Sequence, residues 1–305
     1  MLDSTEKQMQ SIQKRGNKYV GYIGGREIVK STSEYYVKRR LALAASGEVE
    51  SPAATVTAAA QLDTTPITKR FEFVSRLVTM VAKGLTPSAI ISGEGGLGKT
   101  YTVVQALEAA GLRDVTTLEV GETMPAGKTY RMVKGFSTAK GMYRTLAENA
   151  EGIVVFDDCD SVLNDANALN ILKGALDSFS RRVISWNTSR DDDEIPRWFE
   201  FKGSIVFITN KSIDNIEQAL RSRSMCVDLS MTSEQKLQRM ADIITGPEFM
   251  PAFDAKYKSM ALNLIDSVKH RANDLTLRSL IKTVKIAASG SEDWEELATY
   301  MLIQG

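Results

Sequence analysis

The sequence predicts an α/β protein: a parallel sheet flanked by helices, followed by a small all-helical domain. Three observations carry this. Between about 67 and 230, short apolar runs alternate with segments of helical spacing, the order that lays strands side by side in one direction. A glycine-rich stretch, Gly93 to Thr100, joins one such run to one such segment. From about 231 to 305 only helical spacing remains: Tyr257, Met260, Ala261, Leu264, Ile265 and Val268 share one face, and Leu277, Leu280, Ile281, Val284 and Ala288 another.

Residues 1–40 carry nine Lys/Arg and four Asp/Glu, so the chain opens with a basic arm, taken as 1–43. Within it, Val20–Ile23 and Arg26–Val29 flank Gly24-Gly25 and read as a hairpin, and Tyr35–Leu43 as a short helix. Residues 44–66 are rich in Ala, Ser, Thr and Pro with almost no large apolar groups, the composition of a linker. The α/β domain then spans 67–230. Its first helix covers Arg70–Ala82, Leu85–Ser92 is a buried strand, and Thr100–Ala110 a helix stopped by Gly111. The helical domain spans 231–305, with Trp294 assigned to its core.

Composition excludes several classes. Basic and acidic residues number 38 each, so no global field draws the chain to nucleic acid or a membrane, though a local basic patch remains open. Two cysteines, Cys159 and Cys226, make no disulfide framework, and with one histidine, His270, there is no zinc-type cluster. No apolar run approaches the roughly 18 residues of a membrane helix, and the polar N-terminus is no signal peptide. The expectation is a cytoplasmic protein that does not engage membranes.

Gly93-Glu94-Gly95-Gly96-Leu97-Gly98-Lys99-Thr100 fits G-x-x-x-x-G-K-[ST], the phosphate-binding loop, with Tyr101 next in line. Strand, glycine loop and helix are what the chemistry requires. Glycines let backbone N–H groups curl around phosphates, and the helix N-terminus adds favourable partial charge. Lys99 would reach the β- and γ-phosphates of ATP, and the Thr100 hydroxyl would ligate Mg²⁺. Further on, Ile153-Val-Val-Phe-Asp157-Asp158 is an apolar strand delivering two carboxylates to a sheet edge. Asp157 would hold Mg²⁺ directly or through water, and Asp158 would polarise the attacking water or cap the next turn. Asp160 would cap the following helix.

With these in place the chain resembles the AAA+ ATPases. Ser204–Asn210 is similar to their sensor 1 strand, Gln218–Leu229 to the box carrying the arginine finger, and Leu275–Lys282 to the lid helix with the sensor 2 arginine. The resemblance implies that Asn210 bonds the γ-phosphate or its water. It implies that Arg278 touches that phosphate from the same subunit, and that Arg223 or Arg221 reaches a neighbour's site. A finger in trans implies a homo-oligomer, most often a hexameric ring. One departure stands out: the family's second acid is usually Glu, and here it is Asp158, a pair that also resembles that of some related classes, including helicase loaders and the viral superfamily 3 helicases.

Two segments would then face a pore. In Met132-Val-Lys134-Gly135-Phe136, Phe136 or Met132 would grip substrate. Arg181–Asn187 and Arg197–Phe201 flank a polar stretch and read as a hairpin similar to the pre-sensor 1 hairpin of one AAA+ superclade. There Trp186, Trp198, Arg190 and Arg197 would stack on bases and pair with phosphates, or the tryptophans would pack on the sheet. The implied function is an Mg-ATP-driven ring remodelling or threading a macromolecule. Nucleic acid is favoured slightly over protein, with a slowly hydrolysing scaffold as a further alternative.

Overall fold

The computed structural model describes residues 10–16, 18–31, 37–38, 41, 65–119, 122–123, 125–187 and 195–304. Contacts divide the chain into two compact units, one ending at Thr65 and one beginning at Pro66.

In the first unit three strands, β1 (Gln10–Arg15), β2 (Lys18–Ile23) and β3 (Arg26–Ser31), form an antiparallel meander. The predicted hairpin is its β2–β3 half, turning at Gly24 and Gly25 with φ of 57° and 80°, positive at both turn positions as tight hairpins require. The pairing of β1 with β2 was not expected from sequence. Of the predicted 35–43 helix only Val37, Lys38 and Leu41 are described, and all three are helical. They need Gly21: a Cβ there would lie 2.8 Å from the side chains of both Val37 and Leu41. Apart from Thr65 and Pro66, the expected linker lies outside the described residues.

The second unit is built on six strands: β4 (Ser88–Ser92), β5 (Arg113–Asp114), β6 (Thr129–Lys134), β7 (Ile153–Asp157), β10 (Ser204–Thr209) and β11 (Met225–Asp228). All pairs are parallel, in the order β11-β4-β10-β7-β6-β5. The central strands are buried on both faces, which is why they read as unbroken apolar runs. Their side chains alternate between two cores. Ile90, Val154, Phe156, Ile205 and Phe207 meet α3 (Ala139–Glu148) and α5 (Ala166–Ala175). Ala89, Ile91, Val155, Val206 and Ile208 meet α1 (Ile67–Ala82) and α2 (Lys99–Ala109). The strand predicted from Leu85 begins at Ser88; Leu85 itself is exposed.

Parallel register aligns the carboxyl ends. Thr209 pairs with Ser92 and Ile208 with Asp157, so the loops after β4, β7 and β10 open on one edge. From β4 the chain passes through α2 to β5 at the far side of the sheet and returns through β10 beside β4, so that edge is also where the connections diverge, the usual ligand position in open α/β sheets.

A short antiparallel pair, β8 (Val183–Ser185) and β9 (Trp198–Glu200), precedes β10. It is anchored to α3 by Tyr143, whose ring meets Trp186 and Phe199 at 5.6 and 5.1 Å and whose hydroxyl donates to the Pro196 carbonyl at 2.9 Å. Helices α7 (Ser233–Ile244), α8 (Ala255–Val268), α9 (Leu277–Ala287) and α10 (Trp294–Gln304) close over a third core containing Met240, Ala261, Ile265, Leu280, Val284 and Leu302. Trp294 is a correction: it opens α10 half-buried and outside that core, because Ala298 and Leu302 form the helix's inward stripe. No helix among the described residues is long and apolar enough to cross a membrane.

Candidate functional site

The glycine loop is shaped by backbone that side chains would obstruct. Gly93 has φ 140°, and a Cβ there would lie 3.0 Å from the Leu229 backbone. Gly96 has φ 73°, and its Cβ would lie 3.0 Å from that of Thr276. Gly98, at φ 93°, is the residue from which α2 starts. A Cβ on Gly95 would reach within 3.5 Å of the Asn210 amide. Leu97 is buried in the core and anchors the loop, so its side chain is structural.

Lys99, at the start of α2, is buried and uses all three of its protons. It donates to the carbonyls of Gly93 (2.6 Å) and Glu94 (2.7 Å) and to Asn210 Oδ1 (2.9 Å). Burial pulls its ammonium below the usual lysine range, against the opposing pull of Asp158 and Asp157. A lysine held against backbone carbonyls can exchange a carbonyl for a phosphate oxygen at little cost in geometry. Thr100 Oγ1 donates to Asp157 Oδ1 at 2.9 Å. Burial raises the Asp157 carboxyl above the usual range, with Asp158 adding to the rise and the Thr100 hydrogen bond, Lys134 and Lys99 opposing it. Hydroxyl plus carboxylate is a hard oxygen pair. Among the described residues no cluster of three or more His, Cys, Asp or Glu exists to hold a metal by itself. That donor set fits Mg²⁺, which keeps waters and takes phosphate oxygens for the remainder.

Asp158 is one of two non-glycine residues in the described chain with positive φ, at 52°. Its amide donates to the Ile208 carbonyl at 3.0 Å, and its carboxylate accepts from Asn210 Nδ2 at 3.0 Å. Asn210 therefore bridges Lys99 and Asp158. Asp160 does not cap: it lies inside the first turn of α4 (Asp160–Asn164), after Cys159, and accepts from Thr209 Oγ1 at 2.6 Å, tying β10 to β7. Cys159 is buried, and burial pushes its thiol up, away from reactivity.

From α9, Arg278 joins Gly95, Gly96, Gly98, Lys99, Thr100, Tyr101, Asp158 and Asn210 around one cavity of about 160 Å³. The lid is seated on the loop by the Leu277 amide donating to the Gly96 carbonyl at 2.8 Å, by a Lys236–Glu94 ion pair, and by Tyr101 donating to Glu248 at 2.5 Å. Neither Arg221 nor Arg223 lines that cavity. Arg221 ends α6 (Gln218–Arg221), 3.5 Å from Asp214 with its Nε buried, and Arg223 Nη1 donates to the Ala219 carbonyl at 3.0 Å.

Among the expected pore residues, Met132 is a correction. It points inward from β6 and packs in the core beneath the sheet, 8% exposed, so it cannot grip a substrate. Phe136 is 76% exposed, just after Gly135, whose φ of 85° turns the chain off the sheet. Lys134 lies in register with Asp157. Trp186 is half-buried against Tyr143, while Trp198 and Arg197 are exposed. Arg190 and the rest of 188–194 lie outside the described residues. Sequence reading missed Lys236, Glu248 and Arg239 at the lid. It also missed Thr276, which closes the N-terminus of α9 with Ser279, each side chain accepting from the other's backbone N–H, a start signal legible in Thr276-Leu-Arg-Ser279.

A glycine loop with buried lysine and threonine, an acidic pair and a polar strand end on one parallel edge define a P-loop ATPase. The family of ATPases associated with various cellular activities (AAA) matches residues 89–232, from β4 to the first residues before the lid. The chain is also 32% identical over 255 residues to an uncharacterized 36.7 kDa protein encoded in the nrdC-mobD intergenic region of Enterobacteria phage T4, covering 77% of this chain and 74% of that one. The chain belongs to the AAA family and is an ATPase.

Proposed function

We propose that the protein is a ring-forming, Mg²⁺-dependent ATPase that moves or remodels a polymer, nucleic acid ahead of protein. The observation carrying the catalytic part is two hydrogen-bonded sets, Thr100–Asp157 and Lys99–Asn210–Asp158, of which Thr100, Lys99, Asn210 and Asp158 line one cavity with Arg278. Thr100 and Asp157 would hold Mg²⁺, which when bound neutralises phosphate charge. Lys99 and Arg278 add positive charge where the γ-phosphoryl leaves. Asp158 accepts the proton of the attacking water, and Asn210 keeps that carboxylate turned inward. Hydrolysis yields ADP and inorganic phosphate, the proton passing through Asp158 to solvent.

Arg223 is the better finger. Arg221 turns in towards Asp214, whereas Arg223 is held by a single backbone carbonyl it can release. A guanidinium reaching a neighbour's site requires head-to-tail contacts, which close into a ring, most often a hexamer in this family. Charge distribution favours nucleic acid. Residues 1–43 hold nine of the 38 basic and four of the 38 acidic residues, leaving 29 and 34, so a basic module is joined to an acidic body. In that module Lys14 lies over the Tyr19 ring at 5.5 Å, a cation–aromatic surface suited to an unstacked base and its phosphate. The exposed Phe136 favours the second reading, a protein remodeller.

The test is ATP turnover against protein concentration, with single-stranded DNA, duplex DNA or an unfolded protein added. Steeper-than-linear turnover, lost in Arg223→Ala and kept in Arg221→Ala, supports the ring. Stimulation by DNA that fades with salt supports nucleic acid. Turnover per chain independent of concentration and of Arg223 refutes the finger.

A further inference from the structure

Arg239, in α7, carries a guanidinium with no anionic partner among the described residues. Its centre lies 3.8 Å over the ring of Phe71 from α1, so one face is covered. Its Nε is buried with no hydrogen-bond partner, and no hydrogen bond or ion pair to any of its nitrogens exists among the described residues. The acid nearest in sequence, Asp242, is engaged elsewhere: one oxygen accepts from Thr68 at 2.7 Å and the other from Gln238 at 2.8 Å. Burial accordingly pulls the Arg239 guanidinium below its usual range, with only the field of Asp242 opposing.

A half-buried guanidinium whose Nε is buried without a partner carries a desolvation cost that an arriving anion would offset. What lies beside this one is the phosphate loop. Nη2 is 4.0 Å from where a Cβ on Gly98 would stand; Leu277, at 3.6 Å, is the other non-adjacent side chain within 4 Å of that point among the described residues. Gly98 has no side chain to come between them. Arg239 is not among the residues around the cavity shared by Asp158, Asn210 and Arg278. It reaches Gly98 from α7 with its guanidinium stacked on Phe71 of α1.

We propose that Arg239 is a nucleotide-binding residue of the lid, contacting the part of the nucleotide that ATP and ADP share. Its donors meet an α- or β-phosphate oxygen, while its plane, backed by Phe71, supports the nucleoside. The inference rests on the ATPase reading and adds a second lid arginine with a task different from that of Arg278. Arg278 distinguishes ATP from ADP; Arg239 binds both alike. Because Arg239 comes from α7 and Gly98 from the α/β layer, a bound nucleotide of either kind would hold the lid down, and release of γ-phosphate alone would not free it.

The experiment is calorimetric titration of the full chain and of Arg239→Met, Arg239→Lys and Arg278→Ala with Mg-ADP and with a non-hydrolysable Mg-ATP analogue, alongside thermal melting without nucleotide. Methionine keeps the packing on Phe71 and removes charge and donors. Arg239→Met should weaken both nucleotides alike, by about 10- to 100-fold, the scale of a charge-assisted hydrogen bond. Its nucleotide-free melting temperature should be unchanged or higher. In turnover, KM should rise with kcat little altered. Arg239→Lys should fall between, since a point charge replaces a planar fork. Arg278→Ala should weaken the ATP analogue more than ADP. Binding of both nucleotides by Arg239→Met within twofold of the unaltered chain overturns the inference while leaving the ATPase reading standing. So does a lowered nucleotide-free melting temperature with weakened binding that Arg239→Lys does not recover at all. An unaltered chain that binds neither nucleotide overturns both.

Discussion

Replacing Asp158 with Asn keeps the shape of the catalytic corner and removes its ability to take a proton. Asn is the side chain most at ease at positive φ, so the backbone at 52° is undisturbed. The amide donated by residue 158 to Ile208 is untouched, and an Asn oxygen can still accept from Asn210. What is lost is the general base, an effect of about 10²–10⁴ in rate, or about 3–5 kcal/mol on the barrier. Stability should hold or rise slightly, because the repulsion between Asp158 and the buried Asp157 disappears. Asp158→Gly relieves the left-handed backbone but removes the acceptor of Asn210, so its stability should stay within about 1 kcal/mol of the unaltered chain, and it should be as inactive as the Asn variant. Asp158→Glu should lose about 1 kcal/mol, since a longer side chain is less tolerant of that backbone, but keep measurable turnover. The assay is steady-state phosphate release at saturating Mg-ATP, with thermal melting in parallel. Turnover of Asp158→Asn within about threefold of the unaltered chain would refute the role given to this carboxylate.

Asp157→Asn should abolish Mg²⁺-dependent turnover yet raise the melting temperature at neutral pH. Burial raises the folded-state pKa of Asp157, so its ionised form costs the native state; that cost is absent below the ordinary aspartate range and grows as pH climbs through the raised value. The stabilisation should therefore shrink towards zero as pH is lowered below about 4, and an advantage that persists there would contradict the assignment. Gly96→Ala should cost about 2–3 kcal/mol, from left-handed backbone plus the contact with Thr276 that threatens the Leu277–Gly96 hydrogen bond. Gly111→Ala shares the positive φ of 83° but meets open space, so it should cost about half as much. Equal melting shifts in the two would remove the argument that the lid sits on the loop.

The phosphate loop, the Asp157-Asp158 strand end and the Ser204–Asn210 strand were legible because each is a local pattern. An apolar run of strand length followed by glycines, or by acids, needs only neighbours a few positions away to be recognised. Met132 was misplaced for a related reason: it and Phe136 look alike as apolar neighbours of Gly135. Only the strand's inward alternation, broken by that glycine's positive φ, buries one and exposes the other.

By itself the sequence determined the class of fold, the order of strands and helices in the α/β layer and which residues stand at the sheet edge. These follow from periodicity and turn residues, which act over one or two turns of chain. Only the tertiary structure decided which distant groups share a space. Asn210 joins Lys99 to Asp158, Arg278 comes to the cavity while Arg221 and Arg223 stay away from it, and Arg239 lies on Phe71 beside Gly98. Those meetings depend on strand order and on how a separate helical layer seats on the loop, and nothing in the local spacing of residues encodes either.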